Sequence, residues 1–155
     1  MIFGIDPGTT ESGWVHYDDD SDTVMESGID PNDTVLREIN LWDPGYGTIA
    51  IENIESSRGM PVGADTLTTV RWIGRFQQAA RFPETVILIP RLAVKTHLCG
   101  SAKAKDSNIR QALIDRLGPP GTVKQPGPTH GVKSHAWSAL AVAVTARDQL
   151  GAKSA

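Results

Sequence analysis

Met1-Ile-Phe-Gly-Ile-Asp-Pro-Gly-Thr-Thr-Glu-Ser-Gly-Trp-Val15 opens the chain and decides how the rest is read. Ile2, Phe3 and Ile5 form a short apolar run with strand character. Asp6 stands at the end of that run, and Pro7-Gly8 turns the chain. A second β-type run, Trp14 to Tyr17, follows within a hairpin's reach. A carboxylate at the end of a buried strand is stiffly held and partly desolvated. Here it also sits beside a glycine turn, where a metal ion or phosphate can approach the backbone. The competing reading is an Asp6 that only caps its own turn.

Outward from this stretch the pattern repeats. Thr23 to Gly28 is a third strand candidate, and Asp30-Pro-Asn-Asp33 reads as a helix start with Asn32 or Asp33 as its cap. Val35, Leu36, Ile39 and Trp42 give that helix one apolar side, and Asp43-Pro-Gly45 stops it. Thr48 to Ile54 is a nearly continuous apolar strand, as expected for one covered on both faces. Glu52 stands at its end, as Asp6 does on the first strand. If the two strands are neighbours, the carboxylates converge; Glu55 is expected to face solvent.

Ser56 to Gly63 is a glycine-bearing loop whose Arg58 and Met60 are candidates to touch a ligand. A helix is expected over 65–81, with Leu67, Val70, Ile73, Phe76, Gln77 and Ala80 on its buried side and Trp72 off that stripe. Thr85 to Ile89 has the signature of a buried strand. Arg91 and Lys95 follow at i, i+4. A polar, basic bridge over 100–108 leads into a helix capped by Asp106 or Ser107, with Ile109, Ala112, Leu113 and Leu117 buried. Lys103 and Lys105 lie just ahead of that helix, an arrangement suited to a phosphate. Residues 118–131 are rich in Pro and Gly and read as a loop. The last helix is expected from about Val132 to Gln149 and is apolar almost all round, hence buried. His135 and Ser138, at i, i+3, share one face near its start.

Composition narrows the class. At 155 residues, one domain over 1–150 with a 151–155 tail is the expectation. No apolar run approaches the ~20 residues of a membrane span, and the opening strand is not read as a secretory signal. A single cysteine, Cys99, forms no internal disulfide and fits a reducing, cytoplasmic setting. Net charge is -3, but its distribution is uneven. Residues 1–55 hold 13 acidic residues and one basic, whereas residues 56–155 hold 14 basic and 5 acidic. Such asymmetry hints at a polyanionic partner. The acidic turn of Asp18, Asp19, Asp20 and Asp22 reads as a solvated tip.

Taken together, Gly4-Ile-Asp-Pro-Gly8, Ile49-Ala-Ile-Glu52, the lysine-bearing segment from Lys95 through Gly100-Ser-Ala102, and His135-Ala-Trp-Ser-Ala-Leu-Ala-Val-Ala143 resemble the RuvC-type Holliday junction resolvases of the ribonuclease H-like superfamily. The resemblance covers nearly the whole chain in the same order. It implies an α/β ribonuclease H-like fold, a five-stranded mixed sheet flanked by helices, and a homodimer. It implies a structure-selective endonuclease on branched DNA, four-way junctions above all, with Mg²⁺ or Mn²⁺, two ions per site. Asp6, Glu52, His135 and Ser138 match the catalytic positions, the first three as metal ligands. Arg58, Arg91, Lys95, Lys103 and Lys105 are the DNA-binding candidates. Ser138 departs from the pattern, because the family has Asp there and a neutral hydroxyl is a poor ligand for a hard cation. An inactivating substitution, a weakened second metal site and binding without efficient cleavage all remain open. The last makes a non-catalytic junction-binding module the alternative function. A sugar-kinase-like ATPase, suggested by Asp6-Pro-Gly-Thr-Thr10, needs a second such domain, and an integrase-like strand transferase lacks its DNA-recognition domain here.

Overall fold

In a computed structural model, residues 1–55 and 62–154 are described. Five strands form one mixed sheet in the order β3-β2-β1-β4-β5: β1 (Ile2–Asp6), β2 (Glu11–Asp18), β3 (Thr23–Pro31), β4 (Thr48–Asn53) and β5 (Ile87–Pro90). The first three form an antiparallel meander, and β4 and β5 add in parallel to β1. Helices α1 (Asn32–Leu41), α2 (Ala64–Ala79), α3 (Arg91–Cys99), α4 (Asp106–Leu117) and α5 (Ala136–Ser154) cover the two faces.

Strand alternation divides the core in two. Phe3, Ile5, Ile49 and Ile51 point to one face and pack against Val35, Ile39, Ile73 and Phe76 of α1 and α2. Ile2 and Ala50 point to the other, where α5 lies with Ala139, Leu140, Ala143 and Val144, all essentially inaccessible. Gly4 makes this close seating possible: a Cβ there would fall 2.4 Å from the Ala139 carbonyl oxygen. By the same alternation Asp6 and Glu52 must emerge on the α5 face, because each is an even step from Gly4 or Ala50.

Several local expectations change. Pro31, not Asn32 or Asp33, is the N-cap residue of α1. Asn32 is instead buried, and its side chain accepts from the Ser12 hydroxyl at 2.6 Å and donates to the Gly8 carbonyl at 3.0 Å. Helix α2 turns Thr69, Ile73 and Phe76, at i, i+4, i+7, toward the sheet, so Leu67 and Val70 are exposed rather than buried. Trp72 is half-buried against Phe76, with the Arg75 guanidinium 3.9 Å over its ring. A 3₁₀ turn over Pro83–Thr85 delays β5 to Ile87. Helix α4 starts after Lys105, whose backbone N–H donates to the Asn108 side chain. The last helix begins at Ala136 and runs to Ser154, so residue 150 does not mark its end.

The acidic turn is more than a solvated tip. Asp19 pairs with the Met1 ammonium, Asp22 accepts from the Tyr17 hydroxyl and pairs with Arg147, and Asp18 accepts from Ser21. No helix among the described residues is long and apolar enough to cross a membrane.

Candidate active site

Strands β1 and β4 run parallel with Ile5 opposite Ile51, which brings Asp6 and Glu52 level at the C-terminal end of these two central strands. Both side chains are largely buried, Asp6 at 11% and Glu52 at 10% exposure. Glu52 is therefore not an exposed edge residue. Burial pushes its carboxyl up to about 7; the charge on Asp6 adds to this and Arg91 opposes it. Asp6 is also raised by burial, against the pull of His135.

His135 closes the site from above. It lies just before α5, and its carbonyl accepts from the Ser138 and Ala139 N–H groups, which fixes the helix entry. Its Nδ1 is 3.2 Å from Asp6 Oδ2, and the side chain as a whole is 66% exposed. Ser138, one turn on, lines the same cavity as Asp6, and its hydroxyl adds a small downward pull on the Asp6 carboxyl. Strand β2 makes room for this. Gly13 lies opposite Asp6, and a Cβ there would meet the His135 backbone carbon at 2.5 Å. Ser12, beside it, accepts from the Gly8 N–H at 3.3 Å, so Ser12 and Asn32 together brace the loop after Asp6.

Arg91 enters from the side. It is the first residue of α3, directly after β5, whose Ile89 pairs with Glu52. One guanidinium nitrogen donates to both Glu52 oxygens, at 3.0 and 3.1 Å. The other donates to Asp106 at 2.5 Å. A cavity of about 370 Å³ lies over these groups, lined by Asp6, the 7–11 turn, Arg91, Asp106, His135 and Ser138. A second hollow of about 350 Å³ shares Asp106, His135 and Ser138 and adds Arg110 and Trp137, with the Arg110 guanidinium 5.0 Å from the Trp137 ring.

Asp6, Glu52, His135 and Ser138 are thus brought together. Arg91, expected to meet DNA, is engaged with Glu52 and Asp106. Lys95 lines a neighbouring hollow with Glu52 and Arg91, and Lys103 and Lys105 are exposed ahead of α4. Arg58 and Met60 lie outside the described residues. Gly13, Asn32 and Asp106 carry no role in the sequence reading. A glycine inside a β-run is the signal for the first; the other two read as helix-start residues, and only the tertiary structure gives them partners.

The donor set suits one divalent ion better than two. Asp6 and His135, with the Ser138 hydroxyl, open onto the cavity of about 370 Å³; Mg²⁺ is often held by one or two carboxylates with substrate phosphates completing its shell. Glu52 presents both oxygens to Arg91. Among the described residues no three His, Cys, Asp or Glu side chains gather as a metal cage.

No family model and no curated protein sequence matches the chain. Solved structures do. Thermus thermophilus RuvC is similar over 97% of this chain and 96% of its own, with TM-score 0.64 and 21% identity. A structure of T. thermophilus RuvC in complex with a Holliday junction substrate is similar over 96% and 95%, with TM-score 0.63 and 22% identity. The order of elements, the mixed sheet and the paired strand-end acids therefore belong to a chain that has the RuvC fold, a ribonuclease H-like sheet flanked by helices, from end to end.

Proposed function

We propose that this protein binds branched DNA and hydrolyses its phosphodiester bonds as a divalent-metal-dependent endonuclease, acting on four-way junctions. The observation that carries the reading is the meeting of Asp6 and Glu52 on adjacent parallel strands beneath His135, in a fold shared with a protein solved on a junction substrate. Phosphodiester hydrolysis needs an activated water and stabilisation of charge on the phosphoryl oxygens. A bound divalent ion supplies Lewis-acid polarisation and a more acidic water. Asp6 and His135 would hold it, with the Ser138 hydroxyl beside them on the cavity wall. His135 stands at the cavity mouth, where a ring not engaged by the ion can take a proton from the attacking water; coordination and proton acceptance are alternative tasks for the one imidazole. Lys95, Lys103 and Lys105 fit phosphate contacts that position the substrate without reading sequence. A homodimer would present two such sites to the two strands of a junction. The exposed Leu67 and Val70 on α2 offer an apolar face for it. A cytoplasmic setting goes with DNA as the substrate.

A junction-binding module without cleavage is the second reading, favoured by Ser138 in the family's Asp position. Cleavage of a labelled four-way junction with Mg²⁺ and then Mn²⁺ separates the two, run on the parent and on Ser138→Asp. Cutting by the parent supports the nuclease. Cutting only by Ser138→Asp marks a disabled one. Tight binding with no cutting by either supports the module, and no binding by either ends both readings.

A further inference from the structure

We infer that Arg91 is the built-in cation of this pocket: its guanidinium holds the place on Glu52 that a second metal ion would need, so the site takes one divalent ion rather than two. The inference rests on the nuclease reading for its setting, but its argument is the geometry of the chain's own side chains.

Glu52 is almost fully buried, and a buried carboxylate needs a counter-charge. Arg91 provides it by chelation, with one nitrogen 3.0 and 3.1 Å from the two oxygens. A metal ion on Glu52 would need those same oxygens and would place its charge against a guanidinium. The arginine is fixed at both ends. Its backbone starts α3 at the end of β5, a strand in register with β4, and its second nitrogen is tied to Asp106 at the start of α4. Two helices and two strands therefore hold one positive charge beside the paired acids. An arginine is permanently protonated and cannot be lost as a metal ion is. Arg91 also lines the cavity onto which Asp6 and His135 open, where a substrate phosphate would meet a fixed positive charge.

The charge arrangement also accounts for Ser138. A two-ion site gathers several carboxylates to hold four positive charges. With Arg91 in place of one ion, less negative charge is needed, and a neutral hydroxyl beside Asp6 suffices. The sequence reading expected two ions and listed Arg91 as a DNA contact; the geometry gives that arginine a different first task.

The test is Mn²⁺ binding by the full chain in the absence of DNA, followed by titration calorimetry and by loss of the free-ion paramagnetic resonance signal. The parent is expected to bind one Mn²⁺ per chain, Arg91→Lys one, and Arg91→Met two. Glu52→Gln with Arg91 retained is expected to leave the single Mn²⁺ affinity within about threefold, because Glu52 is not a ligand of that ion; this variant keeps side-chain shape and covers the case in which Arg91→Met does not fold. Two ions in the parent, none in the parent, one in a folded Arg91→Met, or a tenfold loss of affinity in Glu52→Gln would each overturn the inference. Failure of the nuclease reading would appear separately, as absence of junction binding and cutting with the Mn²⁺ stoichiometry unaffected.

Discussion

Gly13 lies opposite Asp6 in the register of β1 and β2, and the His135 backbone passes directly over it. A methyl group at Gly13 would fall 2.5 Å from the His135 carbonyl carbon, too close for any relaxation short of moving the start of α5. Gly13→Ala is expected to cost about 1–3 kcal/mol, the usual range for overpacking a tight interior. Chemical denaturation checks this; the same variant should lose Mn²⁺ affinity, because His135 leaves Asp6. Glu52 yields a second expectation. Its carboxyl is raised from 4.5 to about 7 in the folded chain by burial and by Asp6. The folded state therefore holds this proton more tightly than the unfolded one. The resulting stability is present below about pH 4.5 and is lost as pH rises through about 7. Relative to Glu52→Gln, the parent should lose up to about 3 kcal/mol between pH 4.5 and 8, measured as the difference between two denaturation series. Asp6 and Glu52 are legible in the sequence because each ends an apolar run, and strand alternation puts both on one face. Arg91 is not legible as their partner: nothing in its local sequence says that β5 will deliver it to Glu52.

Among the elements, α5 organises the molecule. It spans β1, β2 and β4 through small side chains, and its C-terminal half joins the other helices through Asp148. Arg116 of α4 donates two hydrogen bonds to Asp148, both 2.6 Å, and His97 of α3 lies 2.6 Å from it. Arg147, next along, pairs with Asp22 in the β2–β3 turn, where Tyr17 also donates. Burial pushes Asp148 up, but the hydrogen bonds from Arg116 and His97 outweigh it and hold the carboxyl below its usual 3.8. Its stabilisation is therefore present above about pH 4 and lost as pH falls through the lower folded value. Asp148→Asn is expected to lose about 1–3 kcal/mol at pH 7, as charge-assisted bonds are removed, with the gap to the parent closing as pH falls through that lowered folded value. The strands and helices themselves are readable from periodicity. The helix faces are less so: in α2 an apolar stripe competes with a mixed one, and the sheet takes Thr69, Ile73 and Phe76 while Leu67 and Val70 face out. The limit is physical, since only packing decides which of two overlapping stripes meets the core.

At the scale of the whole molecule, the chain has the RuvC fold at 21% identity, and its own packing shows what holds that fold here. Gly4 and the alanines of α5 permit the close helix-on-sheet contact, Gly8 and Asn32 shape the first turn, and alternating apolar residues fill the two layers. The site built on that frame has one permanent cation, three acids and a serine. The acidic first third and basic remainder, visible from composition, resolve into a pinned acidic turn and lysines exposed ahead of α4. Central to the account is the proposal that this frame cuts branched DNA. The most direct measurement is cleavage of a four-way junction and a matched linear duplex with Mn²⁺, by the parent and by Asp6→Asn. The account predicts junction-selective, metal-dependent cutting by the parent that falls at least about 100-fold in Asp6→Asn, in keeping with loss of an acid that holds the ion. Equal treatment of junction and duplex, or cutting that survives Asp6→Asn, would contradict it.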